Sequence, residues 1–251
     1  FLPTRLLTPR LSSGWLCLLT STSFPLARAL VDSLTHETVC HDEAIRVLIS
    51  QELLSYREAV ERALARIAQN HVPSSWIDSL AAGTLPPRLF DAVKVPEHGV
   101  YRDARTVPLT APREEVIQRI WLIGGANGWP SMNWAWRLRG TADKLCGGIG
   151  IRRGRRHPAE LRPGDALDFW RVVLADRAKG RLILYAEMRL PGEAWLEFAL
   201  EDLPDGTPGL RQTATFRPQG VLGRLYWLAV LPFHFLLFPR MVRKLAAGSP
   251  G

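Results

Sequence analysis

Trp129, Trp134, Trp136 and Trp170 lie among Arg137, Arg139, Arg152, Arg153, Arg155 and Arg156 in the stretch from Ile123 to Trp170. Indole is costly to leave in water and guanidinium is costly to bury, so a segment rich in both is expected to line a cavity or a contact surface. Asp143, His157, Asp165 and Asp168 are the candidates for acid–base work in the same stretch. Asp168 alternates with Leu167 and Phe169 on an expected strand, facing either water or a pocket; a solvated or arginine-paired carboxylate is the expected state. Cys146 stands near Lys144, which favours a thiolate, but beside a glycine pair it reads as a small packing residue.

Other arrangements fail on their spacing. Gly148, Gly150 and Gly154 match G-x-G-x-x-x-G. A dinucleotide loop needs a strand before it and a helix N-terminus after it. Here Lys144-Leu145-Cys146 precedes and an arginine run with Pro158 follows. His36 and His41 are one residue too far apart for H-E-x-x-H and would sit on different helix faces, so no metal is expected. No G-x-S-x-G is present, and no catalytic residue can be assigned.

These side chains need elements to hold them. Ser55 and Glu58 form a capping-box pattern ahead of Ala59, Val60, Ala63, Leu64 and Ile67 at helical spacing, and residues 1–72 read as mostly helical. Ser74-Ser75 and Pro86-Pro87 punctuate a polar connection to about His98, which places a domain boundary there. Tyr101 to Leu109 reads as a strand. Ala111 to Glu115 opens a helix with Val116, Ile117, Ile120 and Trp121 as its apolar stripe, ended by Gly124-Gly125. Four strands follow Gly164, with period-two alternation over 182–189, 196–201 and 210–217 and turns at Pro191-Gly192 and Pro204-Asp205-Gly206. An apolar helix from about Leu222 to Leu245 closes the chain. Its core run, Leu225 to Phe238, is shorter than the roughly 20 residues of a spanning helix and holds Pro232 and His234, so a buried core helix is expected. The order implies an α+β fold: an antiparallel curved sheet wrapped around a long C-terminal helix, a helix-grip, with a pocket between them and a small, mostly helical lobe in front.

The 251 residues carry a formal net charge of +8, which favours anionic partners unless the arginines are simply solvated. Cys17, Cys40 and Cys146 form no CxxC and cannot all pair, which points to a reducing, cytoplasmic compartment. The tryptophans fall at helical spacing and beside glycine turns, unlike the exposed-sheet pattern that stacks bases, so no nucleic acid is expected.

One ordered set of motifs resembles a known family. It runs IGGANGW at 123–129, W-x-W-R-L-R-G at 134–140, DKL at 143–145, GG at 147–148 and RRGRRHP at 152–158. GDALDFWRV at 164–172, AEMRLPGEAWLEF at 186–198 and GxLGRLYWxxxLPFH at 220–234 complete it. The set resembles a C-terminal domain of uncharacterised function fused to atypical short-chain dehydrogenase/reductases of the NAD(P)-dependent epimerase type, a domain similar to the helix-grip (START, polyketide-cyclase-like) fold. LTPRLSSGWLCLLT at 7–20, LARALVDSL at 26–34 and YREAVERALARI at 56–67 resemble the substrate-side lobe of the same reductases. The resemblance implies two domains, 1–90 as part of that lobe and 91–251 as a helix-grip ligand-binding domain. NAD(P) would be held only by a nucleotide-binding half preceding Phe1, and no cofactor by this chain. The reductases' Y-x-x-x-K pair is also missing: Tyr56, Tyr101, Tyr185 and Tyr226 are followed four residues on by Val60, Arg105, Arg189 and Val230.

The resulting expectation is a domain that binds a hydrophobic or anionic small molecule between sheet and terminal helix. Trp129, Trp134, Trp136, Trp170 and Tyr185 would form the apolar wall, with Asp168 a candidate on it, and Arg137 and Arg139 near the mouth. The basic run at 152–156 reads as a rim. The alternatives are part of an oxidoreductase acting on a lipid-like or quinone-like substrate, and a membrane-peripheral module using the terminal helix, the basic run, Arg240, Arg243 and Lys244 against acidic lipid.

Overall fold

The computed structural model describes residues 24–34, 44–49, 53–68, 94–148 and 155–247, together with Gly14, His36, Glu37, Val39 and Gly150. Cys17, Cys40, His41, Arg152, Arg153, Gly154, the 7–20 motif apart from Gly14, and the Ser74–Pro87 connection lie outside the described residues. The chain divides into two compact units, Phe1–Ser75 and Trp76–Gly251.

The described elements of the first unit are helices: α1 (Phe24–Ser33), α2 (Ala44–Leu48) and α3 (Tyr56–Ala68). The capping box forms as the sequence indicates. The Ser55 N–H donates to Glu58 Oε2 at 2.8 Å, and the Glu58 N–H donates to Ser55 Oγ at 3.3 Å. The Ser55 hydroxyl, which donates to Glu58 Oε2 at 2.7 Å, and then the Ser55 N–H hold the Glu58 carboxyl below its ordinary pKa.

In the second unit β1 (Tyr101–Pro108) precedes α4 (Arg113–Trp121), a single 3-10 turn at Gly125–Asn127, and α5 (Asn133–Leu145). Then come β2 (Ala166–Leu167), β3 (Trp170–Asp176), β4 (Arg181–Ala186), β5 (Gly192–Asp202), β6 (Pro208–Pro218) and α6 (Gly220–Ala246). The six strands form one antiparallel sheet in the order β1-β6-β5-β4-β3-β2. A bulge between Val172 and Leu174 bends β3.

The α+β helix-grip expected from sequence is the observed architecture. One face of the sheet packs on α4, α5 and α6, and the core between them holds Val116, Ile120, Phe169, Leu184, Phe198 and Met241. Two details differ. Five strands follow Gly164, because GDALDFW folds as a tight hairpin. Asp168 takes φ 54 at its turn, so it is not a mid-strand residue. Within the Trp/Arg segment, Asn133–Leu145 forms a helix, α5.

The opposite face of β3–β5 is covered as well. Val173, Ile183, Tyr185 and Trp195 pack there with Val95. Between them lies a fully buried ion pair: Arg171 Nε donates to Glu187 Oε1 at 2.9 Å, and an Arg171 terminal nitrogen donates to the Gly164 carbonyl at 2.7 Å.

Helix α6 corrects a further expectation. It is long and apolar enough to cross a membrane by length and composition, yet only 22% of its apolar window is buried. It is therefore not a core helix throughout. One side, with Gly223, Trp227, Leu237, Phe238, Met241 and Val242, docks on the unit. Its C-terminal end is tied down, since the Ala246 carbonyl accepts from the Thr110 N–H at 3.0 Å and the Leu245 carbonyl from Arg119 at 3.4 Å. The other side leaves Leu222, Leu225, Leu228, Phe233, Phe235 and Leu236 exposed.

Gly223 sets the approach of this helix. A Cβ there would lie 2.4 Å from the Pro191 carbonyl oxygen, a backbone atom that cannot swing aside. Gly223→Ala is expected to push α6 off the β4–β5 turn and to cost about 1–3 kcal/mol, as overpacking does. A lowered urea midpoint with an unchanged m-value would show it.

Candidate ligand cavity

A cavity of about 300 Å³ opens between the helix-facing side of the sheet, α5 and α6. Pockets of roughly 300–1,000 Å³ are the size that takes small molecules. Strands β5 and β6 supply Leu196, Ala214 and Phe216 to its floor. Helix α5 supplies Trp136, Leu138 and Arg139, and α6 supplies Tyr226, Trp227, Phe233 and His234. Phe169 and Trp170 close the end near the β2–β3 hairpin.

The tryptophan wall is a stack with a polar anchor behind it. Trp136, which lines the cavity, stacks on Trp129 with centroids 4.3 Å apart and planes 19° apart. It also meets Trp170 edge-on at 6.5 Å. Trp129 is not on the lining; it supports Trp136 from behind. Its indole N–H donates to Asp168 Oδ2 at 2.9 Å, and the same carboxylate accepts from the Gly125 N–H at 3.2 Å. Gly124 allows that approach, for at φ 74 a Cβ would stand 3.0 Å from Asp168 Oδ2. The path from hairpin to wall is thus Asp168 to Trp129 to Trp136. Asp168 positions the wall and faces neither water nor the cavity.

Burial pushes the Asp168 carboxyl up from 3.8 to about 6, against the opposing bonds from Trp129 and Gly125 and the nearby Arg155. The folded state therefore holds this proton more tightly than the unfolded chain. The resulting stability is fully present below pH 4 and is lost as pH rises through about 6, a swing of about 3 kcal/mol. Asp168→Asn keeps an acceptor for Trp129 and removes the titration. Urea unfolding across pH 4–8 is expected to show the variant gaining on the wild type as pH rises.

The remaining expected site residues divide clearly. Trp136, Trp170 and Arg139 line the cavity. Trp134 does not: it sits on the outer face of α5, 59% exposed. Arg137 is also exposed, one helical face away from Arg139. Tyr185 lies on the opposite face of the sheet, because strand alternation turns it away from Leu184 and Ala186. There its hydroxyl donates to Glu193 Oε1 at 3.3 Å, and burial, with the Glu193 charge, raises its pKa. Arg155 and Arg156 are not a rim. Arg155 donates to the Trp121 and Ile123 carbonyls at 2.8 and 2.9 Å, closing the end of α4, and burial lowers its pKa. Arg156 pairs with Asp165 through two bonds of 2.9 and 3.1 Å. Asp143 accepts from the Gly150 and Arg189 N–H groups at 2.9 and 2.7 Å, and His157 Nδ1 from the Ala159 and Glu160 N–H groups at 3.1 and 2.9 Å. These groups fasten loops, which leaves the proposed acid–base candidates occupied with backbone.

Sequence reading missed the α6 wall. His234 packs edge-on to Trp227 at 4.9 Å and against Phe238 at 4.5 Å. Burial drops its pKa to about 4, so the ring is neutral at pH 7, and at 3.7 Å from Asp103 it is too distant for a hydrogen bond. The available signal was spacing: Trp227, His234 and Phe238 recur at i, i+7 and i+11, on one helical face.

An antiparallel sheet gripping a long C-terminal helix, with an apolar cavity of ligand size between them, defines a helix-grip domain. The chain belongs to the family described as Protein of unknown function (DUF2867), whose pattern matches residues 96–241. That span runs from just before β1 to Met241 on α6 and so includes the whole sheet and every residue of the cavity lining. Twenty chains of solved structures match this one. Among them is the crystal structure of Ara h 8.0201, at 12% identity and a TM-score of 0.32, covering 59% of this chain and 98% of its own. No curated protein matches.

Proposed function

We propose that this domain binds an apolar small molecule in the cavity between the sheet, α5 and α6. The observation that carries the reading is the wall itself: aromatic and aliphatic side chains surround about 300 Å³ of space, with Arg139 the charged side chain on the lining. The Arg139 guanidinium lies over the Tyr226 ring at 5.9 Å, and no acidic side chain pairs with it among the described residues. A ligand with a carboxylate or phosphate head and an apolar body fits that arrangement.

The motif resemblance supports a finer reading, in which the domain is the accessory, substrate-shaping part of a cytoplasmic NAD(P)-dependent reductase or epimerase. A second reading, peripheral contact with acidic membrane, is favoured by the exposed apolar side of α6. Native mass spectrometry of protein purified without detergent tests the ligand. The expected spectrum shows a bound apolar molecule of defined mass; a spectrum of bare chain that also takes up no added fatty acid would overturn the proposal.

A further inference from the structure

The cavity mouth differs from an ordinary pocket rim. Leu138 and Phe233 line the cavity, yet they are 60% and 49% exposed. Beyond these lips the apolar surface continues. Trp134 lies one turn before Leu138 on α5, and Leu145 two turns after it, both exposed. On α6, helical spacing puts Leu222, Phe233 and Leu236 on one stripe, all exposed. Single exposed apolar side chains are ordinary, but a contiguous apolar surface around a mouth marks a contact site.

Charge identifies the occupant. Helix α6 carries Arg224, Arg240, Arg243 and Lys244 and no acidic residue. Arg240 falls on the same stripe as Phe233, and Arg137 flanks Trp134 and Leu138 on α5; both are exposed. The acidic residue of α5, Asp143, is buried and held by backbone N–H groups. An apolar stripe bordered by cations alone is the arrangement that seats a helix at an anionic bilayer surface.

We infer that the mouth between α5 and α6 seats on an acidic membrane and that the cavity is loaded from the bilayer. Its ligand is then a membrane amphiphile, whose chain passes between Leu138 and Phe233 without crossing water. This rests on the ligand-binding reading above and adds the source of the ligand and its route. Neither lip needs to be polar for such a route. Arg139, behind the lips at Tyr226, meets the anionic head once the chain is inside.

The test uses the full chain and two probes. NBD-labelled dodecanoate is offered in vesicles of equal parts phosphatidylcholine and phosphatidylglycerol, and water-soluble anilinonaphthalene sulfonate is offered free. The wild type is expected to float with the vesicles and to take up NBD-dodecanoate at a rate that rises with vesicle concentration. Trp134→Glu with Leu236→Glu, both outside the lining, is expected to slow uptake by at least about tenfold, a cost of about 1.4 kcal/mol at the membrane. Its affinity for the soluble probe should be unchanged. Uptake that ignores vesicle concentration and the two substitutions, with soluble-probe binding intact, overturns membrane loading and leaves ligand binding standing. So does failure of the wild type to float with the vesicles. Loss of soluble-probe binding in the wild type sinks the ligand-binding reading itself.

Discussion

Replacing Arg171 by methionine is expected to destabilise the second unit by about 3–5 kcal/mol, a large share of a domain's stability. The guanidinium is 1% exposed and its partner Glu187 0%. Truncating the arginine takes the guanidinium away from a buried carboxylate and also frees the Gly164 carbonyl that the guanidinium caps. The loss comes from the cost of a buried carboxylate deprived of its guanidinium more than from the pair's own attraction. Arg171→Met together with Glu187→Leu, which removes both charges, should therefore recover most of the loss. Urea unfolding of the single and double variants measures it. A double variant no more stable than the single one would show that the pair is itself a net source of stability. The effect should reach the cavity as well. Trp170 and Val172 flank Arg171 and point to the opposite face, so a loosened β3 disturbs the end of the cavity that Trp170 closes.

Ala214→Phe is expected to weaken binding of an apolar ligand by about a hundredfold or more, about 2.7 kcal/mol. Ala214 sits on the cavity floor between Leu196 and Phe216, and in β6 its side chain points toward α6. A phenyl ring at that position occupies the space the ligand would use. Because the ring fills a void and does not force apart packed atoms, unfolding stability should change by no more than about 1–3 kcal/mol. Titration calorimetry with a fatty acid, beside urea unfolding of the same samples, separates the two effects. Retained affinity with a folded variant would place the ligand elsewhere.

The sequence carried the architecture well, and for identifiable reasons. Alternation in β6 separates the buried Leu210, Gln212 and Ala214 from the less buried Arg211 and Thr213, while β4 is apolar and buried on both faces. Val116, Ile117, Ile120 and Trp121 all prove buried on α4. The cavity was legible only in part. Trp136, Trp170 and Arg139 fall on it, but Trp134 and Arg137 share their segment without sharing its face, and a segment's composition does not say which way a helix rolls. Asp168 looked like a strand residue because its neighbours are apolar. Its positive φ is dictated by the tight β2–β3 hairpin, which alternation does not reveal. Tyr185 failed by one register step, the step that separates the two faces of a strand. The arginines at 155 and 156 looked like a solvated rim, yet their partners are carbonyls and Asp165, brought near only by folding. Helix α6 combined two signals that pull apart: enough apolar residues to suggest a core, and more of them than the sheet can cover.

The central claim, that the space between α5, α6 and the sheet is the ligand site, is tested most directly by a crystal grown with a terminally brominated fatty acid. Anomalous scattering would locate the bromine without assumption about the rest of the molecule. The account predicts a single strong peak inside the cavity, near Trp136, Phe169 and Ala214, with the carboxylate toward Arg139. Bromine on the opposite face of the sheet by Ile183 and Tyr185, or no ordered bromine in a cavity filled by protein side chains, would contradict it.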